Sequence, residues 1–142
     1  MSGVYVSTAL RRKVATQARH RCGYCLSAEE LTGIPCDVDH INPVSEGGQT
    51  VEENLWLVCS PCNQRKSDRI SASDPLTRRI VRLYNPRQDD WTDHFVWAAD
   101  GLLMLGTTAI GRATVAALQL NREMLMNARR RWIQGGWHPP KS

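Results

Sequence analysis

Apolar residues recur at four-residue spacing in the first regular stretch of the chain. Leu10 and Val14 mark one stripe within residues 7–20, and arginines lie off that stripe. This period is typical of an amphipathic helix. Ser7 or Thr8 can cap its start, because a side-chain oxygen there satisfies a free backbone N–H. The pattern predicts a helix over residues 7–20.

Two short runs further along are typical of strands. DVDHI at 37–41 alternates polar and apolar residues, whereas LWLV at 55–58 is continuously apolar. The first predicts a strand, and the second predicts a short buried strand. A helix is predicted to follow within CSPCNQRKSDRI at 59–70. It should end before Pro75, because proline disfavours helical conformation in the residue before it.

The second half of the chain carries a hairpin pattern and then a helical one. Asp100-Gly101 stands between two apolar runs in HFVWAADGLLML at 94–105, which is typical of a tight hairpin. Residues 109–133 have helical periodicity. They form either one helix or two, with Asn121 capping the second, and the sequence leaves both possibilities open. The Gly/Pro-rich end around His138 is expected to be disordered.

These elements predict an α+β protein in two parts. Residues 1–72 are expected to form a core with an N-terminal helix, and residues 73–142 an extension. The extension holds a β-hairpin and helices, packed on or next to the core.

Composition and charge narrow the classes of function. The 142 residues are 42% hydrophobic, and no apolar run approaches the length of a membrane span. The N-terminus lacks the order of a signal peptide, so a cytoplasmic protein is expected. Net charge is +4, but the basic residues concentrate at the two ends around an acidic middle. Basic ends suit binding to a polyanion such as nucleic acid, although charge alone does not identify the binding partner.

Five cysteines add a candidate metal site. Cys22 and Cys25 form one CxxC pair, and Cys59 and Cys62 form another. Two such pairs supply the four thiolates of a structural zinc, one ion per chain. A redox pair or two disulfides are the alternatives, and disulfides fit poorly with a cytoplasmic protein. Cys36 has no partner in this pattern and is expected to be a small buried thiol.

The segment between Cys22 and Asp68 resembles the HNH nuclease family. The matching signals run in order: CGYC, DVDHINP, a Gly-Gly loop, ENLWLV, CSPC and NQRKSD. The resemblance covers about a third of the chain and implies a ββα-metal (His-Me) finger braced by a four-cysteine zinc site. Its motif residues fall on His40, Asn54 and Asn63, with Asp39 before the histidine. Many members carry histidine where this chain has Asn63.

The resemblance implies a role for each of these residues. His40 is the general base that activates water, and its ordinary pKa of about 6.5 suits that task. Asp39 and Asn63 hold Mg²⁺ or Mn²⁺, and Asn54 pins the loop that keeps the histidine in register. Expected phosphate contacts are Lys66, Arg65, Arg69, Arg129 and Arg130. Lys66 has the alternative of anchoring the loop through Glu46, Glu52 or Glu53.

The predicted function is a metal-dependent DNA endonuclease with a one-metal mechanism, leaving 5′-phosphate and 3′-hydroxyl ends. One alternative is a zinc-dependent nucleic-acid-binding module that does not cleave. Another is a structural protein whose zinc braces a partner surface. The expected partner is DNA, no membrane association is expected, and monomer and homodimer both stay open.

Overall fold

The computed structural model describes residues 5–141, which fall into two compact units. The first holds residues up to Ile70 together with Asn85–Gln88, and the second holds Ser71–Tyr84 and the chain from Asp89 onward. The domains predicted at 1–72 and 73–142 stay a prediction, because a compact unit is not by itself an independently folding domain.

The N-terminal helix of the first unit is confirmed. Helix α1 spans Thr8–Gln17, and Ser7 caps it by accepting a hydrogen bond from the Leu10 backbone N–H at 3.1 Å. Its apolar stripe packs inward, since Val14 forms a buried cluster with Val6 and Leu55. This packing fixes α1 against the second predicted strand.

A strand–strand–helix arrangement follows, as the sequence predicts. The antiparallel strands pair Asp37 with Val58 and His40 with Leu55. Two single-turn 3₁₀ segments, Val44–Glu46 and Glu52–Asn54, lie in the connecting loop. The remaining elements of this unit are helix α2 (Glu29–Thr32), strands β1 (Asp37–His40) and β2 (Leu55–Val58), and helix α3 (Ser60–Lys66).

The second unit contains two hairpins and three helices among the described residues. The predicted hairpin is confirmed and turns at Gly101, whose φ is +77°. The helical stretch is divided into two helices. The elements are β3 (Ser71–Ser73), β4 (Ile80–Arg82), α4 (Trp91–His94), β5 (Phe95–Trp97), β6 (Met104–Gly106), α5 (Ala109–Leu118) and α6 (Glu123–Gln134).

Two expectations for the second unit are corrected. His138 is buried, its Nε2 lies 2.8 Å from the Gly101 carbonyl oxygen, and its ring packs edge-on to Trp97. The expected disorder there is wrong, because one imidazole contact ties the tail to the hairpin turn. Asn121 does not cap the second helix, whose N-cap is Arg122. The Asn121 side chain instead accepts a hydrogen bond from the Met104 N–H and donates one to the Met104 carbonyl.

Strands β3 and β4 form a hairpin that the sequence did not predict, and a buried ion pair lies next to it. The Asp74 side chain is fully buried, and both of its oxygens accept hydrogen bonds from Arg112 of α5 at 2.9 Å. The Arg112 guanidinium holds the pKa of Asp74 well below its usual range. A paired charge of this kind is costly to disrupt, because a single removal leaves its partner uncompensated.

The overall class is mixed α+β with small two-stranded sheets, as predicted. Within residues 5–141, no helix has both the length and the apolar character needed to cross a membrane.

The Asp74–Arg112 pair predicts non-additive stability. Asp74→Asn and Arg112→Gln should each lower the free energy of unfolding, and the double variant should lose less than the sum. Because the native pKa of Asp74 is depressed, its contribution is present above about pH 4 and is lost as pH falls further. Urea unfolding at pH 7 and pH 3 should therefore show the gap between wild type and Asp74→Asn narrowing in acid. Additive losses would contradict this account.

Candidate functional site

The four predicted cysteine ligands converge at one point. The Sγ atoms of Cys22, Cys25, Cys59 and Cys62 all lie within 4.8 Å of one another. The sulfurs of Cys25 and Cys59 are 3.7 Å apart. A tetrahedral zinc with Zn–S bonds of about 2.3 Å needs sulfur–sulfur distances of about 3.8 Å. The donor set and its spacing fit a metal ion, and three of the four residues are buried.

Local packing explains how the first CxxC pair reaches this point. The Gly23 N–H donates to the Leu57 carbonyl at 2.8 Å, which docks the turn on β2. A Cβ at Gly23 would collide with the Trp56 ring, so only glycine permits this approach. The Tyr24 N–H lies 3.4 Å from Cys22 Sγ, and Ser27 Oγ lies 3.2 Å from Cys25 Sγ. Such groups stabilise negative charge on sulfur.

The electrostatics of the cluster also favour a cation. Burial raises the pKa of Cys22 well above its usual value, while hydrogen bonds from Cys22 and Cys59 lower the pKa of Cys25 well below it. Four thiols this close cannot all ionise without positive charge between them. Burial raises the pKa of Cys36 to about 12, and its side chain is only partly buried. Cys36 therefore stays a neutral thiol outside the cluster.

His40 is the last residue of β1 and is almost completely buried, with 1% of its surface exposed. Its Nε2 lies 2.8 Å from Thr50 Oγ1. Its Nδ1 is buried and has no hydrogen-bond partner among the described residues. Burial lowers the pKa of His40, and the charge of Asp39 opposes this shift. His40 is therefore held at Nε2 and has no described partner at Nδ1, and its burial disfavours the charged imidazolium.

Asp39 makes an ion pair inside the protein. Its Oδ2 lies 3.0 Å from Lys66 Nζ, and both side chains are buried. Burial raises the pKa of Asp39, and the charge of Lys66 acts against that rise. The Lys66 ammonium also donates to the His40 carbonyl at 3.2 Å. One lysine therefore compensates Asp39 and fixes the end of β1.

Helix α3 lies across the face of β1 that carries its aspartates. Alternate strand residues share a face, so Asp37 and Asp39 point the same way. Asn63 Nδ2 lies 3.4 Å from Asp37 Oδ2, and Lys66 meets Asp39 one helical turn later. Asn63 and Asp39 therefore lie on the facing sides of α3 and β1, a region we call the β1–α3 interface. Their amide and carboxylate oxygens are ligands suited to a hard cation such as Mg²⁺.

Asn54 closes the loop between the two strands. Its Oδ1 accepts from the Asn42 N–H at 2.8 Å, and its Nδ2 donates to the carbonyls of Asn42 and Gln49, both at 2.9 Å. A Cβ at Gly48 would collide with the Asn42 carbonyl, so the loop needs glycine there. This loop carries Thr50 and so determines where His40 finds its partner.

The predicted phosphate contacts lie in different environments. Lys66 is 1% exposed and is used within the protein, so the structure does not place it for contact with nucleic acid, nor against the glutamates named as its alternative. Arg65 lies in the last turn of α3, is partly buried and donates to the Pro61 carbonyl at 3.1 Å, whereas Arg69 follows the end of the helix. Arg69 is exposed and donates to the Arg65 carbonyl.

The two α6 arginines predicted to contact phosphate also differ from each other. Arg129 is 0% exposed and bonds the carbonyls of Leu102 and Leu120, so its assignment to nucleic acid is corrected. Its guanidinium also lies 4.9 Å from the Trp97 ring centroid. Arg130 is exposed and donates to Asn127. Arg129 therefore has a structural role, since its buried guanidinium donates hydrogen bonds to backbone carbonyls in the interior.

Sequence reasoning missed Thr50 and the role of Lys66 toward Asp39. Thr50 gives no signal by itself, since a threonine in a loop is common. Lys66 follows Asn63 by three residues, and this spacing indicates that the two share a helix face. It does not indicate that the Asp39 carboxylate lies opposite Lys66.

Comparison with known proteins agrees with this geometry. Residues 22–69 match the family model HNH endonuclease. The predicted resemblance is thus confirmed over the segment that carries both the cysteine cluster and the β1–α3 interface. This segment indicates a function of nuclease type or otherwise associated with nucleic acid. No curated protein and no solved structure matches the chain significantly.

Removing one thiolate should release the metal and unfold the first unit. Metal binding at a site of this kind supplies folding free energy on the order of 10 kcal/mol. Cys59→Ser should therefore give protein without metal and without a cooperative unfolding transition. Cys36→Ser is the matched control and should keep both. Elemental analysis for zinc and circular dichroism provide the test, and a folded Cys59→Ser protein lacking metal would contradict it.

Proposed function

We propose that this protein is a divalent-metal-dependent DNA endonuclease of the HNH type, with a structural zinc at the four cysteines. The observation that carries the proposal is the buried Nδ1 of His40, which has no hydrogen-bond partner among the described residues. His40 follows Asp39, which lies on the β1–α3 interface with Asn63. A buried imidazole nitrogen without a partner is rare, because burying an unsatisfied polar atom costs free energy. It is retained where a water or substrate atom fills the position.

Asp39 and Asn63 are the residues that would hold Mg²⁺. When bound there, the ion supplies positive charge to the scissile phosphate and its leaving oxygen. The remaining coordination positions suit water and phosphate oxygens, which Mg²⁺ prefers to keep. The charge of Lys66 favours the ionised form of Asp39 and opposes the effect of burial on its pKa. Lys66 also donates to the His40 carbonyl, which holds the end of β1 in place.

His40 performs the proton transfer. The required tautomer has Nε2–H donating to Thr50 Oγ1, which leaves a lone pair on Nδ1. That nitrogen takes a proton from the attacking water as it forms a bond to phosphorus. The bond from phosphorus to the 3′ oxygen breaks, and the 3′ oxygen takes up a proton from solvent, which leaves 5′-phosphate and 3′-hydroxyl ends. His40 stands at the end of β1, so it and Asp39 can serve one phosphate despite pointing to opposite faces.

A second candidate is a zinc-dependent nucleic-acid-binding module that does not cleave. It is favoured by the 1% exposure of His40 and by the ammonium already paired with Asp39. Incubating the protein with plasmid and Mg²⁺ or Mn²⁺ separates the two. Nicked or linear product supports the endonuclease, and binding without any product supports the module.

His40→Ala should abolish the base and spare the fold. Cleavage should drop by roughly 10²–10⁴, the usual share of general-base catalysis, while DNA binding and zinc content persist. His20→Ala, at an exposed histidine outside the motif, is the matched control and should cut at the wild-type rate. Because burial lowers the pKa of His40, wild-type cleavage should hold to below about pH 6.5 and then fall as the imidazole is protonated. Undiminished cleavage by His40→Ala would overturn the assignment.

Asp39→Asn should instead change the demand for metal. The amide keeps the size of the side chain but removes the charge that attracts a divalent ion, so half-maximal cleavage should need more Mg²⁺. Asp68→Asn removes the same charge at an exposed position and should leave the Mg²⁺ titration unchanged. Zinc content should be equal in all three proteins. Identical Mg²⁺ titrations for wild type and Asp39→Asn would exclude Asp39 as a ligand.

A further inference from the structure

The tip of the hairpin formed by β3 and β4 exposes an unusual set of side chains. Leu76 is 71% exposed and Ile80 is 70% exposed, and both neighbouring arginines are exposed as well. We call Leu76, Arg78, Arg79 and Ile80 the hairpin-tip surface. A single exposed aliphatic residue needs no explanation, but two large ones flanking two arginines on one short hairpin are a candidate for contact with a partner.

This tip is held in one conformation by the buried Asp74. Besides pairing with Arg112, the carboxylate accepts from the Leu76 N–H at 3.1 Å and from Thr77 Oγ1 at 2.9 Å. The backbone of Asp74 also bonds Arg79 and Arg78, at 2.8 and 2.7 Å. A fully buried anion therefore organises the loop from within. The exposed side chains are presented on a rigid support, which lowers the entropy lost on binding.

Arg78 has a backbone conformation that a side chain makes unfavourable. Its φ is +64°, in the left-handed region that glycine adopts readily and most other residues adopt at a cost. The Arg78 side chain forms no hydrogen bond or ion pair within the part of the chain that the structure describes. A guanidinium stands where glycine would be easier to accommodate, and nothing among the described residues uses it.

The charge of the hairpin tip is uncompensated. Residues 75–82 contain three arginines and no acidic residue. Arg82 is paired with Asp89 at 2.7 Å, and Asp74 is paired with Arg112. Arg78 and Arg79 make no such pair with any described residue. Two positive charges are thus left for an external anion, with an aliphatic side chain on either side.

We propose that the hairpin-tip surface binds the backbone and groove of duplex DNA, which rests on the proposal above that DNA is the substrate. Arg78 and Arg79 contact phosphates, because guanidinium groups pair with phosphate oxygens. Leu76 and Ile80 pack on sugars and base edges, the kind of apolar contact that proteins make in the minor groove. An acidic protein surface would satisfy the arginines, but duplex DNA supplies both a row of anions and an apolar groove wall within the span of one hairpin.

Fluorescence anisotropy of the full chain with a short labelled duplex tests the proposal, with neither Mg²⁺ nor Mn²⁺ present so that no cleavage occurs. Arg78→Gly combined with Arg79→Gln should weaken binding and flatten the log–log salt slope by roughly 1.8, or about 0.9 for each phosphate that is no longer neutralised. Arg78→Gly also relieves the positive φ, so the thermal midpoint should not fall on that account. A loss of affinity in a folded variant then reflects the surface and not the stability.

Two further variants act as controls. Leu76→Ser with Ile80→Thr should weaken binding several-fold at every salt concentration without changing the slope, because no ion is released by apolar contacts. Arg79→Gln alone and Arg131→Gln each remove one positive charge from an exposed position, the second of them on α6. Arg131→Gln should weaken DNA binding less than Arg79→Gln does. If Arg131→Gln weakens binding as much, net charge explains the loss and the proposal fails.

The outcomes separate this inference from the proposed enzyme activity. If wild type cleaves DNA and the hairpin variants bind as tightly as wild type, the hairpin proposal is overturned and the endonuclease stands. If wild type binds through the hairpin but never cleaves, the hairpin proposal stands and the endonuclease falls. Absence of duplex binding at low salt, or a change only in self-association, overturns the hairpin proposal.

Discussion

The structure of the first unit depends on the close approach of four cysteine sulfur atoms, whose ionised forms repel one another. Their positions within 4.8 Å of one another suit thiolates only if a cation stands between them. The two CxxC pairs bracket the segment that holds β1, the loop and β2, so an ion bound by both pairs would close this long loop. Binding of a metal ion at these four cysteines would therefore be coupled to folding of the unit. The same closure would hold the β1–α3 interface in place, because α3 starts within the second pair.

The same constraint explains why so much of the first unit is predictable from sequence. Two CxxC pairs have one common structural solution, and the polar residues between them fall at spacings that few other sites share. Helix α1 and strands β1 and β2 follow from hydrophobic period and capping, which are local properties. The hairpin around Asp100-Gly101 is predictable for the same reason, since its turn chemistry lies in two adjacent residues.

What the sequence does not reveal is which charges turn inward. Arg129 precedes two other arginines and looks like part of a solvated helix face, yet it is the one that satisfies backbone carbonyls in the interior. Lys66 looks like a phosphate contact until Asp39 is placed opposite to it. Strands β3 and β4 have only three residues each, and their stability depends on Asp74 meeting Arg112 from far along the chain. Such pairings are tertiary, so no local pattern predicts them.

Each unit contains a buried carboxylate, and the two differ in how completely neighbouring groups compensate their negative charge. Asp74 is saturated by Arg112, by Thr77 and by a backbone N–H, so its negative charge is fully used in fixing a loop. Asp39 has a single lysine as its charged partner, and burial raises its pKa despite that lysine. An anion with incomplete compensation attracts further positive charge more strongly than a saturated one, because less of its field is cancelled. This difference in compensation supports the proposed role of Asp39 as a metal ligand, whereas the charge of Asp74 is used in holding the hairpin-tip surface.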